Sequence, residues 1–305
     1  MKRCGISAAK MGMVDAILEV LRDLNEYLPI SLRAIHYRLL VKTFFRNAKK
    51  RTPYQNNLDS YKDLSDLTTR MRLADKIPWD WICDETRPVT TWSCWRNAAE
   101  FMAEEAKGLF KGYARDLLQS QQHHFEIVAE KLTVKNFIDP VAGRYCMPVV
   151  IMRGNSSIDA RHQLVERFRK SGKPSLFLHC LGDCDADGDS IVDSTLRSLR
   201  DDFAIQNVQA TRVAMTHQQA DKLHLPKMLK AKKESTNYSA FVRKHGRKDC
   251  YELEAVAPEV LQEWLDTAIK GVIDVEAYNY EVDQQTNEAA GILAKRQAVL
   301  QLLRH

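Results

Sequence analysis

The sequence predicts an α/β protein with a mostly parallel sheet, helices on both faces of that sheet, and an all-α or α+β N-terminal part. Three observations favour this class. From residue 125 onward, apolar runs of strand length alternate with helical stretches, which is typical of a covered parallel sheet. Before residue 122 the apolar pattern is mainly helical. One apolar run, at 175–181, leads directly into four alternating aspartates, and ligands in such sheets gather beyond the carboxyl ends of strands.

The N-terminal part is predicted to contain three helices and a strand. The elements are a helix over about 8–25, a break at Pro29, a helix over 32–41 capped by Ser31, a helix from Asp59 or Ser60 to about residue 76, and a strand at 79–83. This order is typical of a helix-turn-helix or winged-helix module. In such a module the third helix would enter a DNA groove. In the alternative interpretation it is a plain surface helix. Its candidate contacts are Lys62, Thr68, Thr69, Arg70 and Arg72.

A connector helix is predicted over about 92–121, with Phe101, Met102, Leu109 and Leu117 as its buried candidates. We expect a domain boundary inside it, near 110–122. The chain would then divide into a winged-helix-like DNA-binding domain over 1–115 and a sheet domain over 116–305 that ends in a helical extension.

Four strand-like runs predict the sheet domain, and the sequence contains no internal repeat. The predicted strands are 125–130, 147–152, 175–181 and 208–215, and the predicted helices are 160–170, 190–200 and 258–273.

The aspartates at 183, 185, 187 and 189 place four carboxylates within seven residues. Two unit charges about 4 Å apart repel by roughly 4 kcal/mol at an effective dielectric of about 20. A rigid cluster therefore needs a cation, and an all-oxygen donor set favours Mg²⁺, Mn²⁺ or Ca²⁺ over zinc. Asp183, Asp185 and Asp187 are the candidate metal ligands.

Glu130 follows the first predicted strand of the sheet. If this strand lies beside 175–181, right-handed crossovers put both carboxyl ends at one edge, where Glu130 faces Asp183 and Asp185. We therefore expect Glu130 to be a metal ligand as well. Arg153 opens a Gly-Asn-Ser-Ser turn after the second strand, and a phosphate could approach the exposed backbone there.

The aspartates allow two other interpretations. An EF-hand calcium loop matches 183–188, but Ser194 stands where the bidentate glutamate is required and a strand precedes the loop. A solvated acidic turn is the second interpretation, and the position at a strand end argues against it.

Composition narrows the class of protein and its partners. The 305 residues are 45% hydrophobic and 28% charged, without an apolar run near the roughly 18 residues of a membrane helix. Since no signal-peptide core is apparent either, we expect a cytoplasmic, nucleoid-associated protein. The net charge is +5, with a basic run at 42–51 and nine Lys or Arg against Glu234 within 222–248, which favours double-stranded DNA as partner. The candidate DNA contacts are Lys42, Arg46, Lys49, Lys50, Arg51, Arg70, Arg72, Lys131 and Arg153.

Several motifs, in this order along the chain, carry a resemblance to a known family. They are 32–40 (LRAIHYRLL), 77–87 (IPWDWICDETR), Glu130-Lys131, 182–188 (GDCDADG) and 251–255 (YELEA). Glu130 with 183–188 resembles the Toprim pattern of topoisomerases, primases and related nucleases. More narrowly, the chain is similar to the A subunit of type IIB topoisomerases and its meiotic double-strand-break relative, and 77–87 resembles bacterial and phage-borne members.

The resemblance implies a winged-helix part followed by a Toprim part, and it implies DNA cleavage by transesterification. Tyr37 would attack a phosphodiester and leave a 5′-phosphotyrosyl link, with Arg33 beside the phenol on the same helix face. Metal, Mg²⁺ or Mn²⁺, would be held by Glu130, Asp183 and Asp185, with Asp187 assisting through water. A homodimer is the implied unit, and a separate ATPase would drive any strand passage.

The residues alone leave alternatives open. Tyr37 could be a packing residue, and a solvated surface position is an equally good interpretation of His36. Ala186 and His36 depart from the family pattern, which commonly has proline and an aromatic there. The chain could also be a Toprim nuclease that uses water, or a DNA-binding scaffold that does not cleave.

Overall fold

The computed structural model describes residues 5–42, 46–47, 52–83, 92–152, 158–227 and 235–302, and it shows a mixed α/β fold with parallel sheets. The predicted α/β class is therefore confirmed. The chain forms two compact units, Met1–Glu85 with His123–Ile269, and Thr86–Gln122 with Lys270–His305. Among the described helices, none combines the length and the hydropathy that a membrane span requires.

The N-terminal residues form three helices and a two-stranded parallel sheet. The elements are α1 (Met11–Asp23), β1 (Ile30–Ser31), α2 (Leu32–Val41), α3 (Leu58–Leu73) and β2 (Ile82–Cys83), with β1 beside β2. Ser31 Oγ accepts a hydrogen bond from the backbone N–H of Ala34 at 3.1 Å, so the predicted cap of α2 is confirmed.

Two details of this part were predicted wrongly. Helix α3 is capped by Asn57, whose Oδ1 accepts from the N–H of Ser60 at 2.8 Å, instead of by Asp59 or Ser60. The predicted strand at 79–83 is a 3₁₀ turn at Trp79–Trp81 and a strand only at Ile82–Cys83. Short segments of this kind are decided by partners elsewhere in the chain.

The main sheet has four parallel strands in the order β4-β3-β5-β6. The strands are β3 (His124–Ala129), β4 (Val149–Ile151), β5 (Leu176–Leu181) and β6 (Val208–Ala214), and the helices that follow them along the chain are α5 (Lys135–Arg144), α6 (Ile158–Ser171), α7 (Ala186–Asp201), α8 (His217–Lys222), α9 (Tyr238–His245) and α10 (Pro258–Lys270). The four predicted strands and the predicted helices near α6, α7 and α10 are confirmed.

Both faces of this sheet are covered. Val128 and Cys180 pack in one cluster with Leu164 and Val165 of α6 and Leu199 of α7. Alternate residues of a strand point to opposite faces, and the neighbours of Val128 at positions 127 and 129 are also fully buried. The predicted parallel sheet with cover on both sides is therefore confirmed.

The second unit contains α4 (Ala98–Gly108) and α11 (Val275–Leu302). The predicted connector helix over 92–121 is wrong in extent, since α4 ends at Gly108 and Phe110 has a positive φ of 54°, which an α-helix does not accommodate. Phe101 and Met102 are 41% and 63% exposed, so they are not the buried residues we expected, whereas Leu117 is buried.

The N-terminal helices belong to the same unit as the main sheet. Asn136 Nδ2 of α5 donates to the backbone carbonyl of Pro29 at 2.6 Å, and Ser31 Oγ donates to Glu254 Oε1 at 3.4 Å. The compact units therefore differ from the division expected at about residue 115, because these contacts join segments more than 100 residues apart.

Candidate metal centre

The carboxyl ends of β3 and β5 leave the sheet side by side. Ala129 pairs with Leu181 at the end of the register, and the backbone N–H of Glu130 donates to the carbonyl of Leu181 at 2.8 Å. Gly182 in turn donates its N–H to the carbonyl of Ala214 at the end of β6, also at 2.8 Å. Glu130 and the aspartates therefore start from one edge of the sheet, as predicted.

Glu130, Asp183 and Asp185 each use one carboxylate oxygen to accept a hydrogen bond from a backbone N–H. Glu130 Oε2 accepts from Asp183 at 2.8 Å. Asp183 Oδ1 accepts from Leu253 at 2.9 Å, and Asp185 Oδ1 accepts from Gly188 at 2.7 Å and so caps α7. The main chain therefore fixes the orientation of all three carboxylates.

Two glycines let the chain fold tightly around the Glu130 carboxylate. A Cβ on Gly188 would lie 2.3 Å from the carbonyl oxygen of Asp183 and 3.1 Å from Glu130 Oε2. A Cβ on Gly182 would lie 2.9 Å from Glu130 Oε2. Only glycine permits this approach at position 188, because the obstructing atom belongs to the backbone.

Lys131 is ion-paired with carboxylates from two parts of the chain. Its Nζ lies 2.7 Å from Asp183 Oδ2, 2.7 Å from Glu252 Oε2 and 3.3 Å from Glu254 Oε2. Lys131 was predicted to contact DNA, but its ammonium group is engaged by these three acids. Glu252 and Glu254 come from the 251–255 motif, which pairs with Cys184 of the aspartate segment through an antiparallel bridge at Tyr251.

The electrostatics of this cluster favour a cation. Burial, together with repulsion from Asp183, raises the pKa of Glu130 to about 7. Burial also raises the pKa of Asp183 and of Glu254, although Lys131 opposes both shifts. Burial alone would raise the pKa of Glu252, but the charges of Lys131 and Arg33 outweigh burial, so the pKa of Glu252 is lowered. Lys131 and Arg33 therefore do not neutralise all the acids of the cluster. A carboxyl group with a pKa near 7, such as that of Glu130, can exchange a proton at neutral pH.

Tyr37 and Arg33 share a face of α2 beside this cluster. Arg33 Nη1 lies 3.2 Å from Glu252 Oε2 and 3.9 Å from Glu254 Oε2. Tyr37 is only 5% exposed. Burial, with Glu252 adding to it, raises the pKa of the Tyr37 phenol, while Arg33 and Lys131 act in the opposite direction. In this arrangement the phenol is protonated at neutral pH.

The solvated interpretation of His36 is wrong. Its side chain is buried, with Nδ1 2.7 Å from Tyr54 Oη and Nε2 3.3 Å from Asn56 Oδ1. The rings of Tyr37 and Tyr61 each lie edge-on to the imidazole, with centroids 5.4 Å away. Burial lowers the pKa of His36, so it is a neutral packing partner of Tyr37.

The other two aspartates of the motif contact α9 and the segment before it. Asp187 Oδ1 accepts from Ser235 Oγ at 2.8 Å. Asp189 Oδ2 accepts from His245 Nε2 at 2.6 Å and lies 3.1 Å from Lys244 Nζ. The alternating pattern therefore places 183 and 185 beside Glu130, whereas 187 and 189 have protein partners of their own.

Several predicted DNA contacts are engaged within the protein. Lys42 lies 2.6 Å from Glu19, Arg70 lies 2.7 Å from Asp66, and Arg72 donates to the carbonyl of Ile82. Thr68 is buried and donates to the carbonyl of Leu64 at 2.9 Å, so its predicted position in a DNA groove is wrong. Arg46 lies in an isolated bridge with Pro53. Lys49, Lys50, Arg51 and Arg153 lie outside the described residues.

Three residues of this site had no role in the sequence interpretation: Arg212, Glu252 and Glu254. The guanidinium of Arg212 donates to backbone carbonyls of the aspartate segment. The two glutamates were noted only within the 251–255 motif. Their alternation on either side of Leu253, which is fully buried, was the one local signal of a shared site. Arg212 lies within a strand, where sequence shows no special feature.

As they stand, no three His, Cys, Asp or Glu side chains within the described ranges form a set that could hold a metal ion directly. Comparison of the chain with protein-family models, with curated proteins and with solved structures found no match. The geometry described above is therefore the basis for a functional proposal.

Proposed function

We propose that the protein is a metal-dependent DNA-cleaving transesterase of the winged-helix and Toprim type. The observation that carries the proposal is the convergence of Glu130, Asp183 and Asp185 at one sheet edge, in a cluster that ion pairs extend to the helix of Tyr37. The Toprim part would be the four-stranded sheet, and the winged-helix part would comprise α1 to α3 with the β1-β2 pair.

The donor set fits a hard divalent cation. It consists of oxygens whose carboxylates are already oriented by backbone N–H groups, and it carries excess negative charge. Mg²⁺ or Mn²⁺ favours such ligands. Direct binding at Asp183 requires Lys131 to give up its contact with Oδ2, or a water to bridge. When bound, the ion would stabilise charge on the scissile phosphate and the leaving oxygen.

Tyr37 would supply the nucleophile. A bond forms between its phenolic oxygen and phosphorus, the bond from phosphorus to the 3′-oxygen breaks, the phenol loses its proton, and the 3′-oxygen gains one. The raised pKa of Glu130, about 7, belongs to the metal-free site, and a bound cation would favour the deprotonated carboxylate that acts as ligand. Because Tyr37 is buried, DNA binding would have to expose the phenol.

The partners proposed with this function are double-stranded DNA, a second copy of the chain, and a separate ATPase if strands are passed. The protein would then be cytoplasmic and nucleoid-associated.

The test incubates the protein with internally labelled supercoiled DNA and Mn²⁺, stops the reaction in detergent, and measures label retained on the protein. We expect a covalent adduct that maps to Tyr37 and that is lost in Tyr37→Phe and in Asp183→Asn. Tyr54→Phe is the matched control, since this tyrosine packs in the same aromatic cluster. An adduct that survives Tyr37→Phe would refute the assignment of the nucleophile.

The burial of Tyr37 favours a second candidate, a nuclease of the same metal site in which water attacks the phosphate. In that case Tyr37→Phe keeps cleavage, no label stays on the protein, and Asp183→Asn abolishes activity.

The ion pair of Lys131 with Asp183 is the observation that favours a DNA-binding protein without cleavage. Duplex binding without any product in Mg²⁺ or Mn²⁺ would support it.

A further inference from the structure

We propose that Arg212 is a positioning residue for the metal site, because it fixes the aspartate loop, residues 182–188, from which the Asp183 and Asp185 carboxylates project. This inference rests on the proposed metal-dependent function. Arg212 lies on β6, outside the motifs that point to that function, and it is not itself a candidate ligand.

The guanidinium of Arg212 bonds backbone carbonyls from both ends of the aspartate loop. Nη1 donates to the carbonyl of Gly188 at 3.0 Å. Nη2 donates to the carbonyl of Gly182 at 3.3 Å and to that of Asp183. A planar group with several donors is suited to such a set of acceptors, and a single ammonium cannot match it.

The loop needs such a clamp because its ends approach each other closely. The position of a Cβ on Gly188 would be 2.3 Å from the Asp183 carbonyl oxygen. Three carbonyl oxygens with partial negative charge therefore lie near one another, beside the carboxylates of Asp183 and Asp185. A guanidinium that donates to all three oxygens offsets their repulsion and fixes the turn that presents those carboxylates.

The fold aims Arg212 at this loop. In the β5-β6 register Cys180 pairs with Arg212, but Leu181 pairs with Ala214, so one extra residue lies in β6. Such irregularities redirect neighbouring side chains and are frequent beside active sites. Asp189 supports the guanidinium from the other side, with Oδ1 3.5 Å from Nη1. This gives the fourth alternating aspartate a role as the anchor of Arg212.

Arg212 also lines a cavity of about 400 Å³ together with His217, Lys244 and His245. Its side chain is 19% exposed. The guanidinium thus lies between a solvent-accessible cavity and the aspartate loop, where a substituted side chain can be accommodated without opening the sheet core.

The experiment measures Mn²⁺ binding to the full chain by isothermal titration calorimetry, well below the unfolding temperature of each variant. The variants are Arg212→Gln, Arg212→Lys, Asp189→Asn and the control Arg200→Gln. Arg200 is an exposed arginine on α7, and its loss changes net charge by the same amount. Circular dichroism melts run in parallel separate stability from affinity.

We expect Arg212→Gln to weaken Mn²⁺ binding by about 10- to 100-fold, the usual loss when a partner of the ligands is removed. Arg212→Lys should recover only part of it, Asp189→Asn should show a smaller loss, and Arg200→Gln should bind as the wild type does. Equal affinity of Arg212→Gln and wild type would overturn the positioning role, even if the variant melts earlier. A wild-type chain that takes up no Mn²⁺ would instead refute the metal site, and this inference with it.

Discussion

Arg33 Nη1 lies 3.2 Å from Glu252 Oε2, and the same carboxylate oxygen lies 2.7 Å from Lys131 Nζ. Glu252 therefore connects the helix that carries Tyr37 to the residue that follows Glu130. The candidate nucleophile and the candidate metal ligands thus belong to one network of ion pairs within a single compact unit.

Arg33→Gln tests whether this network serves Tyr37. The Arg33 side chain is about half exposed, so its pairs are screened and we expect the free energy of unfolding to change by no more than about 1 kcal/mol. Burial raises the pKa of Tyr37 and the Arg33 guanidinium opposes that rise, so its removal should lower the yield of covalent adduct about ten-fold. Arg38→Gln is the control on the same helix, where Arg38 pairs with Glu259 at 3.5 Å. An unchanged adduct yield in Arg33→Gln would exclude this role.

Glu130→Gln should alter how stability depends on pH when divalent cations are absent. The pKa of Glu130 is about 7 in the folded chain and 4.5 when unperturbed. Between these values the folded chain binds more protons here, so the contribution of Glu130 to stability is present below pH 4.5 and is lost as pH rises through 7. The free energy of unfolding of the variant should therefore exceed that of the wild type by roughly 1–3 kcal/mol at about pH 8. Near pH 5 the two proteins should have similar free energies of unfolding.

Urea unfolding of both proteins across this pH range, with and without Mg²⁺, provides the measurement. Glutamine keeps the acceptor for the Asp183 N–H, so the comparison isolates the charge. Added Mg²⁺ should stabilise the wild type and leave the variant nearly unaffected. Parallel pH profiles for the two proteins would contradict the assignment of a raised pKa to Glu130.

Gly188→Ala should disrupt the proposed metal site directly. A Cβ at this position meets the Asp183 carbonyl oxygen at 2.3 Å, so the loop must shift and Mn²⁺ affinity should fall at least ten-fold. Gly143→Ala is the matched control, because a Cβ there meets no described atom within 4 Å and alanine favours the α5 helix by roughly 0.5–1 kcal/mol. Calorimetric titration with Mn²⁺ distinguishes the two. Equal affinities would show that the loop tolerates the shift.

His179 should make the fold sensitive to acid. It is fully buried on β5, its ring nitrogens have no hydrogen-bond partner among the described residues, and its ring lies nearly parallel to that of Phe125. Burial lowers the pKa of His179 to about 4, from 6.5 when unperturbed. The unfolded chain therefore binds more protons between these values. The stability that neutral His179 contributes is present above pH 6.5 and is lost as pH falls through 4.

The loss attributable to His179 amounts to roughly 2–3 kcal/mol across that interval. Thermal or urea unfolding of His179→Phe should show a shallower decline in stability between pH 6.5 and 4 than the wild type. His162→Gln is the control, since His162 is exposed on α6, and its profile should match the wild type. If the His179→Phe profile is as steep as the wild type, other groups cause the acid sensitivity.

Local pattern was enough to predict most of the sheet and helix α2. The cap at Ser31 depends on a hydrogen bond three residues away, and each strand was visible as an apolar run of the right length. The handedness of parallel crossovers put Glu130 and Asp183 at one edge of the sheet, but their adjacency also required β3 to lie beside β5, which the sequence left as a condition. The extent of the connector helix could not be predicted. Phe110 has a positive φ, and a phenylalanine in the sequence gives no signal of that conformation.

By itself, the sequence determined the α/β class, the parallel strands and the exit of Glu130 and the aspartates at one edge of the sheet, because these depend on periodicity and on chain chirality. The tertiary structure decided that β3 lies beside β5, so that Glu130 meets Asp183. Only the tertiary structure decided the burial of Tyr37, the capture of Lys131 by three acids and the clamp that Arg212 forms. Lys131 and Glu252 are 121 residues apart, and Arg33 and Glu252 are 219 apart. Contacts over such separations depend on how whole elements pack, so the residues adjacent in sequence do not predict them.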